Sequence, residues 1–230
     1  MQQLFESDLA LLTLTVALYC LGGALYRRTR LMILHPVLLT FVAVILFLRA
    51  AGIDYARYSE ATGILRFALG MSVVALGYLL YEQVERLRGS LLPVAVSTLV
   101  GCLVGIGSVV LIAGAMGADR QLITSLAPKS VTIPIAGAVV EPLGAIVPVT
   151  SVVVFCVGIF GNICGEQILR RAGVADPEAR GFALGAAAHG IGTARAIELG
   201  AVEGALSGLA MALMGFATAL LLPLIEKYLY

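Results

Sequence analysis

Uncharged, mostly apolar runs occupy residues 9–26, 31–48, 67–81, 89–118, 130–140, 142–165, 181–194 and 204–225, with short charged loops between them. A helix that crosses a bilayer needs about 20 predominantly apolar residues, within a range of about 17–25. With frayed ends allowed for, the runs predict seven or eight membrane elements in an all-α, polytopic helical bundle. The short loops leave nowhere to divide the chain, so residues 1–230 read as a single transmembrane domain.

Composition agrees. Hydrophobic residues make up 60% of the 230 residues and charged residues 13%, against about 25% charged in soluble domains, and mean hydropathy is +1.01. The lipid bilayer is therefore the first partner, and the chain is too short to add a folded soluble domain. A net charge of +1 implies no nucleic-acid partner. Cys20, Cys102, Cys156 and Cys164 all lie in apolar runs and read as free thiols that pack as small hydrophobes. Glu6 and Asp8 precede the first run, where a signal peptide carries positive charge, so that run reads as a retained span.

Arg27, Arg28 and Arg30, then Arg86 and Arg88, then Arg170, Arg171 and Arg180 form three basic clusters. If all three face the cytoplasm, the N-terminus lies outside, and segment 122–141 enters and returns or breaks midway rather than crossing. Arg49, Arg57 and Arg66 oppose this scheme, because it places them outside.

Two stretches interrupt the apolar pattern. AAAHGIGTARAIELG, 186–200, sets His189, Arg195 and Glu198 among small apolar residues, and Gly190 and Gly192 make it a poor continuous helix. In hydrocarbon a charged residue costs about 2.5–3.5 kcal/mol on insertion scales, so such groups face a protein interior or a wet cavity. The plainer reading is that Arg195 and Glu198, three apart, pair near a membrane surface. The second stretch, LAPKSVTIPIAGAVVEPLGAIVP, holds Pro128, Pro134, Pro142 and Pro148. Pro134 has no N–H and is expected to leave the Ser130 carbonyl without its helical partner. Lys129, Ser130 and Thr132 sit at this break. Freed backbone groups in a membrane need protein, water or substrate; a Pro-kinked surface loop with Lys129 solvated is the alternative.

FALG at 67–70 recurs at 182–185, half a chain length away, as an inverted repeat of halves 1–115 and 116–230 would show. KSVTIPIA at 129–136 and HGIGTARA at 189–196 give a conflicting register, and the two stay open. The small residues of 204–223 and of 91–118 predict close helix packing without substrate contact. No nucleophile–base pair at triad spacing, HExxH motif or glycine-rich phosphate loop is present, which argues against an enzyme. Two histidines are too few for a metal centre, and His35, before Pro36, reads as a packed or interhelical hydrogen-bonding residue. No cofactor is implied. Glu141 and Glu198 are candidates for a coupling proton or a cation such as Na+, and Glu203 reads as interfacial.

PKSVTIPIA at 128–136, ARGFALGAAAHGIGTARAIELG at 179–200 and VEGALSGLAMAL at 202–213 resemble the LrgB/CidB family of bacterial membrane proteins, over roughly 31–225. The family is described as antiholin-like, a regulator of murein hydrolase and cell lysis, usually paired with a small LrgA/CidA-type membrane partner. A plastid relative exports glycolate and glycerate, and some bacterial members are linked to pyruvate uptake. The resemblance therefore implies a multi-pass protein of the bacterial cytoplasmic (inner) membrane. The chain departs from the family at Gly70–Val73, where members often have Gly-Pro-Ala-Thr, and before Leu80 and Tyr81, where they often have proline. It also departs at Ile133, which replaces a threonine, and at Ala186–Ala188, which replace Thr-Ala-Ser.

Two functions follow as expectations. One is a transporter of small monocarboxylates of the glycolate, glycerate or pyruvate class. Arg195 would face the carboxylate, since a guanidinium fork suits it. Backbone amides near Gly190–Thr193 and Ser130–Thr132, with Lys129 and the Pro134 break, would add donors at half-helix ends. Thr132, Thr193 and Asn162 would bind a hydroxyl or keto oxygen, His189 would carry a proton, and Gly192 and Glu198 complete the site. The other is an antiholin-like regulator that acts through its membrane partner and needs no polar pocket. A homodimer fits a bundle this small.

Overall fold

The computed structural model describes residues 7–29, 34, 36–65, 67–68, 71, 78 and 91–229. His35, Arg30, Arg66, Arg86, Arg88 and most of run 67–81 lie outside the described residues, as do Leu69 and Gly70 of the first FALG copy and the departures at Ser72, Val73, Leu80 and Tyr81. Among the described residues the secondary structure is helical, with no strand. The chain forms two compact units, residues 1–71 and 72–230.

The first unit holds α1 (Asp8–Thr29), α2 (Pro36–Ala51) and α3 (Tyr55–Ala61). Asp8 in the first turn of α1 and Arg27 and Arg28 in its last complement the helix dipole. Leu11, Val44, Leu48 and Ala61 form its small core. The Thr15 and Tyr58 hydroxyls meet at 2.9 Å. Arg57 donates to Asp8 at 2.5 Å, an exposed pair of a kind worth about 0–1 kcal/mol.

The second unit holds α4 (Leu91–Ala115), α5 (Arg120–Leu126), α6 (Ile133–Val140), α7 (Val147–Arg171), α8 (Pro177–Leu199) and α9 (Ala201–Leu229), with a 3-10 turn at Glu141–Leu143. Its core is built around the segment between α5 and α7. Val131, Ala136 and Val140 are almost fully buried and pack with Cys102, Val154, Met214 and Leu222. Helices α5 and α6 have seven and eight residues, so each rises only about 10–12 Å, well short of a hydrocarbon core of about 30 Å.

Polar contacts pin the return of this segment. Asp119 Oδ1 caps α5 by accepting from the Leu122 N–H at 2.8 Å. Ser125 Oγ accepts from the Ile146 N–H at 2.8 Å, and Thr150 donates to the Ser125 carbonyl at 2.8 Å. Gln121 Nε2 donates to the Gly144 carbonyl at 2.9 Å, and Gly144 turns the chain with φ 73°. Arg120 Nε donates to Glu226 of α9 at 2.7 Å.

Helices α1, α4, α7 and α9 are long and apolar enough to cross a membrane, and α2 and Ile133–Leu143 are apolar but shorter. The free surfaces of these helices are apolar: Leu92, Leu111, Phe160 and Phe216 are all exposed. Such a surface needs lipid or another membrane protein around it.

Candidate functional site

Helix α5 gives way at Ala127 to turns in which Lys129 N–H bonds the Leu126 carbonyl at 3.2 Å and Val131 N–H bonds the Pro128 carbonyl at 3.2 Å. Thr132 is extended (φ −69°, ψ 150°) and serves as N-cap of α6, with Pro134 in the first turn. A proline is well placed there because first-turn N–H groups have no helical partner. This corrects the expectation that Pro134 breaks a helix: the proline begins one. Thr132 Oγ1 is buried without a hydrogen-bond partner.

A cavity of about 500 Å³ opens beside this break. Gly101, Gly105 and Ser108 of α4, Lys129 and Ser130 of the break, and Val157 and Phe160 of α7 line it. Ala183, Leu184 and Ala186–Ala188 of α8 close it on the other side, so both interrupted stretches reach one cavity. Among the described residues the Lys129 ammonium is its only lining charge, and it donates to the Gly105 carbonyl at 2.9 Å. Ser108 donates to the same carbonyl at 2.9 Å. That leaves the ammonium with N–H groups to offer to an anion.

Helix α8 starts conventionally. Asp176 Oδ2 caps it by accepting from the Ala179 N–H at 2.7 Å, with Pro177 at the first position. It then breaks at Ala188 (φ −133°, ψ 18°) and His189 (φ 42°, ψ −138°). A β-carbon at such a φ stores about 1–3 kcal/mol of strain and persists only when its surroundings enforce it.

The enforcement is visible in the packing. The His189 ring is buried and its Nε2 lies 2.9 Å from the Val154 carbonyl. Thr193 donates to the His189 carbonyl at 2.9 Å and meets Ser207 Oγ at 2.9 Å. Asn162 Nδ2 donates to the Ile191 carbonyl at 2.8 Å. Gly158, Gly161 and Gly165 of α7 form a seam under this bend: a Cβ on Gly158 would lie 2.7 Å from His189 Cε1, and one on Gly165 would lie 2.6 Å from Leu184 Cδ2. On the opposite side, Cβ atoms on Gly181 and Gly185 would strike the backbones of Glu203 and Ser207 in α9. Arg180 pairs with Glu203 at 2.7 Å.

The predicted residues therefore separate into two groups. Lys129 and Ser130 line the cavity, with Thr132 and Pro134 just beyond them. Asn162, His189 and Thr193 spend their polar groups on the frame of α8. Arg195, read from the sequence either as facing a substrate carboxylate or as pairing with Glu198, donates to Glu198 at 2.7 Å and to Glu166 at 2.6 Å, and it is not among the cavity-lining residues. Gly190 faces Met211, and Gly192 lies where a Cβ would be 2.6 Å from the Leu184 carbonyl. The sequence reading missed Glu166, just past the end of an apolar run, whose place four residues after Asn162 puts both on one face of α7. It also missed that Gly101 and Gly105 border the cavity as well as thinning α4.

Among the described residues, long apolar helices occur in both units, and the second unit adds a short buried re-entry and a bent polar helix; these features define a multi-pass helical membrane protein. The LrgB-like family model matches residues 15–228, and the chain belongs to that family. It is 33% identical to YxaC of Bacillus subtilis (strain 168) over 94% of each chain. It is 29% identical to the holin-like protein CidB of Staphylococcus aureus (strain Mu50) over 98% of this chain and 99% of the relative. Against the holin-like protein CidB of Staphylococcus epidermidis (strain ATCC 12228) the identity is 28% over 96% of each. No solved structure matches.

Proposed function

We propose that the chain is a holin-like protein of the bacterial cytoplasmic membrane that regulates murein hydrolase activity and cell lysis through a small LrgA/CidA-type membrane partner. The observation that carries this reading is similarity to proteins named holin-like CidB along nearly the whole of both chains. The exposed apolar flanks of α4 and α9 support it, because a membrane partner needs such a face. Deleting the gene and its partner's gene, singly and together, tests the proposal. Autolysis rate and secreted murein hydrolase activity should each change several-fold, and the double deletion should not exceed the larger single effect. Unchanged lysis in every strain would overturn it.

A second reading, transport of small monocarboxylates of the glycolate, glycerate or pyruvate class, is favoured by the Lys129 cavity between the two interrupted stretches. In this reading Lys129 and Ser130 hold the carboxylate, Thr132 adds a hydroxyl, and Arg195 and His189 keep α8 in shape. Seven or eight membrane elements with inverted halves, a homodimer, and coupling to a proton or Na+ belong to the same reading. Counterflow of labelled glycolate and pyruvate in proteoliposomes tests it: Lys129→Ala should lower uptake at least tenfold. Equal uptake with and without the protein would remove it.

A further inference from the structure

The cavity is polar at one end only. Ser108 and Lys129 donate to the Gly105 carbonyl, and Ser130 lies beside Gly105. Among the described residues every other lining side chain is aliphatic, aromatic or absent, with Val104, Val157, Phe160 and Leu184 providing much of the wall. At about 500 Å³ the space falls in the range of about 300–1,000 Å³ that holds ligands far larger than a two- or three-carbon acid. A hydroxyl or keto group on such a small acid, once past Ser130, would face aliphatic walls and lose water without a replacement partner.

We infer that this cavity binds a monocarboxylate with an apolar tail, its carboxylate on the Lys129 ammonium and its tail along Val157, Phe160 and Leu184. The inference rests on the second, transport reading and names the substrate class for its site. A single cation with unused N–H groups selects one negative charge. The apolar wall selects length, and each methylene moved from water onto it tightens binding by about three- to fourfold until the space is full.

The full chain in nanodiscs of zwitterionic lipid provides the test, by displacement of labelled octanoate, with empty nanodiscs subtracted. Competitors are glycolate, pyruvate, and straight-chain acids from acetate to decanoate, beside octanol and octylamine. Affinity should rise about three- to fourfold per methylene and then level off, with octanol and octylamine at least tenfold weaker than octanoate. Lys129→Met should erase the preference for acid over alcohol, and Lys129→Arg should retain it. Ala187→Phe, which fills the cavity from α8, should shorten the best chain by several carbons, and it carries the test should Lys129→Met fail to fold. Binding of glycolate and pyruvate with no gain from added methylenes would overturn the inference and leave the transport reading standing. No binding of any acid would remove both. Octanoate binding unchanged in Lys129→Met, or seen only when phosphatidylglycerol is in the nanodisc, would overturn it in favour of a lipid acyl-chain groove.

Discussion

The two interruptions of the apolar pattern reach the same cavity and are built in opposite ways. At 127–132 the chain leaves one short helix and enters another through unstrained turns, and it leaves Lys129 with a single protein acceptor and Thr132 Oγ1 with none. At 188–189 the backbone is strained, and nearly every polar group nearby is committed: His189 to Val154, Thr193 to Ser207, Asn162 to Ile191, Arg195 to Glu166 and Glu198. The first has donors to offer a ligand, whereas the second supplies a rigid wall. A charged residue inside a membrane protein thus has two distinct uses, and its hydrogen-bond partners tell them apart.

Substitutions that remove the wall should cost most. Gly185→Ala forces a β-carbon into the Ser207 backbone, whereas Gly208 has nothing within 4 Å of the same position. Gly185→Ala should lower stability by about 1–3 kcal/mol or more and Gly208→Ala should leave it unchanged or raised, as read by thermal unfolding of the solubilised protein. Equal melting of the two would show that α8 and α9 are not in close contact. Asn162→Ala leaves the Ile191 carbonyl without its side-chain donor and should cost about 1–3 kcal/mol.

His189 gives a sharper comparison, because the usual ranking of small residues should invert. In a helix interior alanine is better than glycine by about 1 kcal/mol. With φ at 42°, His189→Gly should melt above His189→Ala. The reverse order would mean that the backbone there is an ordinary helix. Among the ion pairs, Glu166→Ala should destabilise more than Glu198→Ala, since Glu166 is 20% exposed and Glu198 is 59% exposed; the latter loss should stay within about 1 kcal/mol. The smallest effect on stability belongs to the open interruption. Lys129→Met removes one donor from the Gly105 carbonyl, which keeps Ser108, and should change the melting temperature little; a large drop would reassign Lys129 to the frame.

The apolar runs were legible because hydrocarbon burial is written in composition: 89–118 and 142–165 overlap α4 and α7. The places where the pattern fails were legible for the same reason, since charge and proline are costly in such runs. What each failure does was not. Gly190 and Gly192 look like the breaking point, yet the bend falls at Ala188 and His189, because contacts from α7 hold the histidine there. Gly192 is small because the bend brings the Leu184 carbonyl against it. Pro134 looks like an interruption, but a proline one turn into a helix and a proline at its start read alike until the partner of each N–H is known. Arg195 looks like a ligand for an anion because Glu166, its nearer partner, is 29 residues away along the chain, and a sequence does not show distant pairs.

The row of glycines at 158, 161 and 165 has a mechanical meaning. With His189, Ala188 and Leu184 seated in those three notches, α7 and the bent helix cannot slip past each other by even part of a turn without a collision. They must travel together or stay still. Any widening of the space between them and Lys129 therefore falls to the opposite bank, where the lysine stem reaches across to the Gly105 carbonyl.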